Sequence, residues 1–197
     1  MSSWLNHPRF KPVRNYVLSA FKRKEYHFRK AKSVIFLCGA KRSVARQNLA
    51  DYLNEYHKNT LVFFADDVWD FLASQEDQNA LEMETQLARL ADMVCVIVES
   101  PGTMAELGAF SNNEELRYKL LPILDRRKKN DKSFIKSGPI TWIDKDSLFA
   151  PSIWTAPAVI LDCLPELEDR LSRIDVSEPP RVSNRGADTT SPARRDR

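Results

Sequence analysis

Met93-Val94-Cys95-Val96-Ile97-Val98 runs straight into Glu99-Ser100-Pro101-Gly102-Thr103-Met104-Ala105-Glu106-Leu107-Gly108-Ala109-Phe110, and this join decides the fold. Six consecutive apolar residues, most of them β-branched, predict a short strand buried on both faces. Pro101 and Gly102 break the run, and the residues after them return to a helical pattern. Strand, turn and helix in that order place the Glu106 carboxylate and the first backbone N–H groups of the helix near the strand's carboxyl end. Open α/β sheets bind their ligands at that edge.

Reading outward, Ser33-Val34-Ile35-Phe36-Leu37-Cys38-Gly39 is a second apolar run, ending in glycine, and predicts a first strand. Val44, Leu49, Tyr52, Leu53 and Tyr56 follow at helical spacing, and Thr60-Leu61-Val62-Phe63-Phe64 is a second strand. Strand, helix, strand implies a parallel crossover unit. Val68 to Leu72 reads as a short helix, and Asn79 to Ala91 as a longer one that leads into the strand at 93. Downstream, the helix after the turn continues past Phe110 to Leu116, interrupted by Ser111-Asn112-Asn113. Lys119 to Leu124 is a fourth strand, with Pro122 expected at an edge or strand-start position. A charged loop follows from Arg126 to Lys132. Ile140-Thr141-Trp142-Ile143 is the expected fifth strand, and Pro157 to Arg173 a closing helix.

The expected fold is therefore α/β, a Rossmann-like parallel sheet of about five strands flanked by helices. Residues 1–32 read as a basic N-terminal helical extension, residues 33–173 as the α/β domain, and residues 174–197, almost without apolar side chains, as a disordered tail.

Composition bounds the function. The chain has 197 residues, 43% of them hydrophobic, which suits one domain with a real core. Net charge is only +3, but residues 1–32 concentrate cations against the single acid Glu25, a pattern that suits phosphates as well as it suits a solvated helical face. Three cysteines without a CxxC pair, and three isolated histidines, speak against structural zinc and for a reducing compartment. With no apolar run near the ~18 residues of a membrane span and no signal-peptide core, the expectation is a cytoplasmic protein without a membrane partner. The same histidines give no triad-type hydrolase.

The candidate site starts from Glu106. A carboxylate beside a glycine turn at a strand end can act as nucleophile, base or acceptor for a ribose hydroxyl; on the motif alone, a helix-start Glu facing the dipole is an equal reading. Gly102 permits close approach of a ligand to backbone. Gly108, unfavourable inside a helix, suggests tight packing on the sheet or a functional reason. Gly39 ends the first strand, and Lys41, Arg42 and Ser43 after it can grip a phosphate or simply form a solvated turn. Asp66 and Asp67 stand at the carboxyl end of the second strand, placed to hold base or sugar hydroxyls, or to cap a helix. Ser100 and Thr103 can donate to phosphate or sugar. Glu84 and Asn112 complete the set of candidate substrate-binding residues, Glu84 with helix-surface solvation as its favoured reading.

Taken together, Gly39 after an apolar strand, the run Glu99-Ser100-Pro101-Gly102-Thr103-Met104-Ala105-Glu106-Leu107-Gly108-Ala109-Phe110-Ser111-Asn112-Asn113, Lys119-Leu120, Ser133-Phe134-Ile135 and Gly138-Pro139 resemble the nucleoside 2-deoxyribosyltransferase-like effectors of bacterial retron anti-phage systems. The likeness covers roughly residues 33 to 145. It implies that Glu106 is the nucleophile at a sugar's anomeric carbon, with Asp66 or Asp67, and after them Glu84, as further acids. It also implies NAD or a related nucleotide as substrate with no separate cofactor, a toxic hydrolase as the effector, and an oligomeric assembly. Partners would be a retron reverse transcriptase and its RNA–DNA hybrid, met through residues 9–32. Effectors of this kind often carry a following DNA-binding domain, whereas here the ordered chain is expected to end near Arg173. A nucleotide-sensing or scaffold module without turnover is the alternative from a different class.

Overall fold

Strands buried on both faces need two helical layers, and the side-chain alternation along each strand shows both. The structure, a computed structural model, describes residues 33–66 and 79–174. The expected helical extension at 1–32, its retron contacts at 9–32, the short helix at 68–72, Asp67 and the tail from 175 lie outside the described residues. Strand β1 (Ser33–Cys38) is followed by helix α1 (Val44–Tyr56), β2 (Thr60–Phe63), α2 (Ala80–Leu90), β3 (Met93–Val98) and α3 (Pro101–Ser111). Then come α4 (Glu114–Tyr118), β4 (Leu120–Asp125), α5 (Thr141–Asp146), β5 (Ile153–Thr155) and α6 (Leu164–Leu171). All pairings are parallel and the strand order is β2-β1-β3-β4-β5.

Phe36, Cys38, Val94, Val96 and Val98 face one way, onto Met83 and Leu87 of α2 and Leu107 and Phe110 of α3. Ile35, Leu37, Met93, Cys95 and Ile97 face the other way, onto Leu49 and Leu53 of α1 and Leu167 and Leu171 of α6. The period of two along each strand thus builds two cores, one per face. All three cysteines are free and buried in them. Because α1 covers one face while α2 and α3 cover the other, the chain changes direction between β1 and β3. The crevice at that switch point, outside the carboxyl ends of the strands, is where such sheets take ligands.

The structure corrects the expected fifth strand. Ile140 ends a π-helical turn at Lys136–Ile140, and Thr141-Trp142-Ile143 open α5. Ile140 and Ile143 are buried while Thr141 and Trp142 between them are exposed, so the spacing is helical and tertiary packing overrides the β-branched composition. The real β5 is three residues long, too short for any period to show. β5 pairs with β4 only from Ile123 onward, so Pro122 stands where β4 is locally an edge, and its missing N–H is tolerated there. The closing helix also divides: Pro157–Cys163 is a 3-10 segment kinked at Val159, ahead of α6.

Gly108 is a second correction. A Cβ built there meets nothing within 4 Å, so close packing on the sheet does not explain it. Gly108→Ala is therefore expected to stabilise the protein by about 0.5–1 kcal/mol through helix propensity. Thermal unfolding of the variant should show a higher Tm; a lower one would mean that this face of α3 is occupied.

Candidate active site

Helix α3 is fixed at its start by a reciprocal cap. The Ser100 side chain accepts the Thr103 N–H at 3.2 Å, and Thr103 Oγ1 accepts the N–H groups of Ser100 at 3.0 Å and Glu99 at 3.1 Å. Thr103 also donates to the Ser100 carbonyl at 2.9 Å, which fills the capacity of a buried hydroxyl. Thr103 thus holds the turn, and Ser100 shares that work. Pro101 and Gly102 lie exposed in the first turn. Across the switch point, Glu99 Oε1 accepts the Ala40 N–H at 3.1 Å and ties the end of β3 to the loop after β1.

One turn on, half-buried Glu106 is pushed up to about 7 from its ordinary 4.5, first by burial, then by the negative charges of Glu84 and Asp66, against the opposing pull of Arg46. Glu106 and Glu84 also act on Cys38 at the end of β1, a buried thiol whose pKa is raised chiefly by desolvation. Glu106, Glu84, Asp66 and Arg46 therefore converge at the carboxyl edge of β1 and β2, from α3, α2, the residues after β2, and α1 respectively.

Arg46 is the member of this cluster that sequence reasoning missed. Its Nη2 meets Asp66 Oδ2 at 2.5 Å, its Nη1 donates to the Gly39 carbonyl at 3.2 Å, and its guanidinium lies 4.7 Å over the Phe64 ring. Gly39 makes room for it: a Cβ there would stand 3.0 Å from Arg46 Cδ. Glycine at this position serves the arginine's path as well as any ligand. A signal was present, because Arg46, Leu49, Ala50 and Leu53 occupy one helical stripe, and a cation on the buried face of a helix needs a carboxylate partner.

Of the other candidates, Asn112 is the exposed C-cap of α3, six residues beyond Glu106 and so about 9 Å further along the axis, toward the opposite edge of the sheet. The structure does not bring it to the carboxylates. Lys41 and Arg42 are exposed on the turn before α1, and Ser43 is occupied as that helix's N-cap. Among the described residues, no group of three His, Cys, Asp or Glu side chains is arranged to hold a metal ion, and no helix is long and apolar enough to cross a membrane.

The STM3845 retron effector protein family matches residues 42–191. A protein of retron Ec86 from Escherichia coli, named as a candidate ribosyltransferase/DNA-binding protein, is 40% identical over 118 residues, covering 58% of this chain and 38% of that protein. A similarly named protein of retron Ec73, also from Escherichia coli, is 36% identical over 124 residues, covering 59% and 39%. The chain thus spans about two-fifths of the length of the curated relatives it matches.

Proposed function

The chain belongs to the STM3845 retron effector family, and on that premise we propose that it is an anti-phage effector that cleaves the N-glycosidic bond of NAD or a related nucleotide at Glu106. The observation that carries this reading is that half-buried Glu106, on the helix after β3, lies in the field of Glu84 and Asp66, with Arg46 ion-paired to Asp66 at 2.5 Å. Breaking an N-glycosidic bond builds positive charge on the sugar ring, and a half-buried carboxylate in a field of negative charge stabilises or captures it.

The chemistry closes without a metal or a histidine. The bond from the anomeric carbon to the base nitrogen breaks, and its electron pair leaves with the base. Nicotinamide is cationic while bonded in NAD and departs neutral, so it needs no general acid. The Glu106 carboxylate forms a bond to the anomeric carbon, and water then displaces it. In this reading Glu84, whose charge acts on Glu106, takes the water's proton. Asp66, held by Arg46, orients a ribose hydroxyl. The names of the relatives, which pair ribosyl transfer with DNA binding, support sugar-transfer chemistry of this general kind.

Incubating the protein with NAD and with nucleoside monophosphates should release free base, read by chromatography. If no base appears, even after assembly with a retron reverse transcriptase and its RNA–DNA hybrid, while nucleotide still binds, the site is a sensor and the glycosidase reading fails.

A further inference from the structure

We propose that a second cavity, on the β4–β5 flank of α3, takes the distal nucleoside of a pyrophosphate-linked dinucleotide whose scissile sugar sits over Glu106. The proposal rests on the glycosidase reading above and deepens it. The cavity, about 230 Å³, is walled by Val98, Met104, Leu124, Ile135, Ile140 and Trp154. It draws on the ends of three strands and on the segment 133–140, to which the carboxylate cluster gives no part. An apolar slot with one half-buried indole and a charged rim suits a planar heteroaromatic ring joined to a phosphate.

Position decides which part of a substrate it can hold. The charges around Glu106 come from the β1 and β2 half of the site. Met104 stands two residues earlier on the same helix, about 200° around its axis, and faces the other flank. A base bonded to the anomeric carbon above Glu106 is one bond from that carbon and cannot cross the helix. The ends of β1 and β4, separated by β3, lie two strand spacings or about 10 Å apart. A pyrophosphate joining two nucleosides spans such a gap and a single nucleoside does not.

The charge at the cavity mouth fits the linker. Residues 125–136 carry Arg126, Arg127, Lys128, Lys129, Lys132 and Lys136 against Asp125 and Asp131. Those two acids already face cations, Asp125 through Arg127 at 2.5 Å and Asp131 through Lys128 at 3.3 Å, which leaves the rim net positive. Lys128 and Lys136 both border the cavity mouth. The exposed first turn of α3 lies between the cavity and Glu106, and its Gly102 N–H is left to meet the same linker, since Pro101 has none and the N–H groups of Thr103 and Met104 are held by Ser100.

The test measures binding apart from turnover. In the full chain carrying Glu106→Gln, NAD and nicotinamide mononucleotide are titrated by calorimetry, with and without Met104→Glu or Lys128→Glu. Both added positions are exposed, which keeps the fold out of question. Each addition should weaken NAD at least about tenfold and change the mononucleotide less than about twofold. Unchanged NAD affinity in both variants, or an equal loss for the mononucleotide, would overturn the proposal. So would a parent protein that binds both ligands equally. Failure of the glycosidase reading looks different: the dinucleotide binds in this manner and the native protein leaves it uncleaved.

Discussion

Glu106→Gln is expected to lower base release by about a thousandfold or more while leaving the fold intact. Gln keeps the shape and the hydrogen-bonding reach of Glu106 but cannot hold the negative charge that the developing sugar cation requires. The native protein should also show a pH dependence set by this group. Attack needs the ionised carboxylate, so base release should rise through about pH 7, where burial, Glu84 and Asp66 place Glu106, and level off above it.

The same group makes a separate statement about stability. Its folded-state value of about 7 stands above the ordinary 4.5 of an unfolded chain, so folding favours the protonated form. Ionising Glu106 therefore costs stability progressively between pH 4.5 and 7, and the whole cost is present above 7. Allowing for its partial exposure to solvent, that cost is on the order of 2 kcal/mol. Gln carries no such cost. Thermal unfolding should find Glu106→Gln more stable than the native protein at pH 8 and equal to it near pH 4.5. A variant that is less stable at pH 8 would mean that the carboxylate serves a structural pairing and not a catalytic one.

The strands that organise the site were legible because burial on both faces writes an unbroken apolar run, and β1 and β3 are such runs. The helix after β3 was legible from Pro101 and Gly102, and its carboxylate followed from the turn. What sequence reading missed has two causes: packing and pairing with partners distant in the chain, and a local cap that fills a hydroxyl. Ile140 to Ile143 looks like a strand by composition and becomes helix because its two isoleucines, three apart, both reach one core. Thr103 reads as a donor to a ligand until its hydroxyl is seen filled by the cap. Arg46 meets its partner Asp66 across twenty residues of sequence, so its role shows only once β1 and β2 lie side by side.

Arg46→Met should separate what that arginine does by charge from what it does by shape. Methionine replaces the buried aliphatic stem but leaves Asp66 without its cation and the Gly39 carbonyl without a donor. Removing one partner of a mostly buried pair costs about 3–5 kcal/mol; with Asp66 30% exposed, about 2 kcal/mol of lost stability is expected, read by chemical denaturation. Arg46 is also the cation that opposes the rise in Glu106, so without it the carboxyl moves further up and the activity profile shifts to more alkaline pH. Arg46→Lys returns a positive charge but not the planar fork, because one ammonium on a flexible stem cannot reproduce the contacts to Gly39, Asp66 and the Phe64 face together. The lysine variant should therefore recover most of the pH profile and little of the stability. If lysine instead recovered stability and left the pH profile shifted, Arg46 would act on Glu106 through packing, and the electrostatic account of the site would fall.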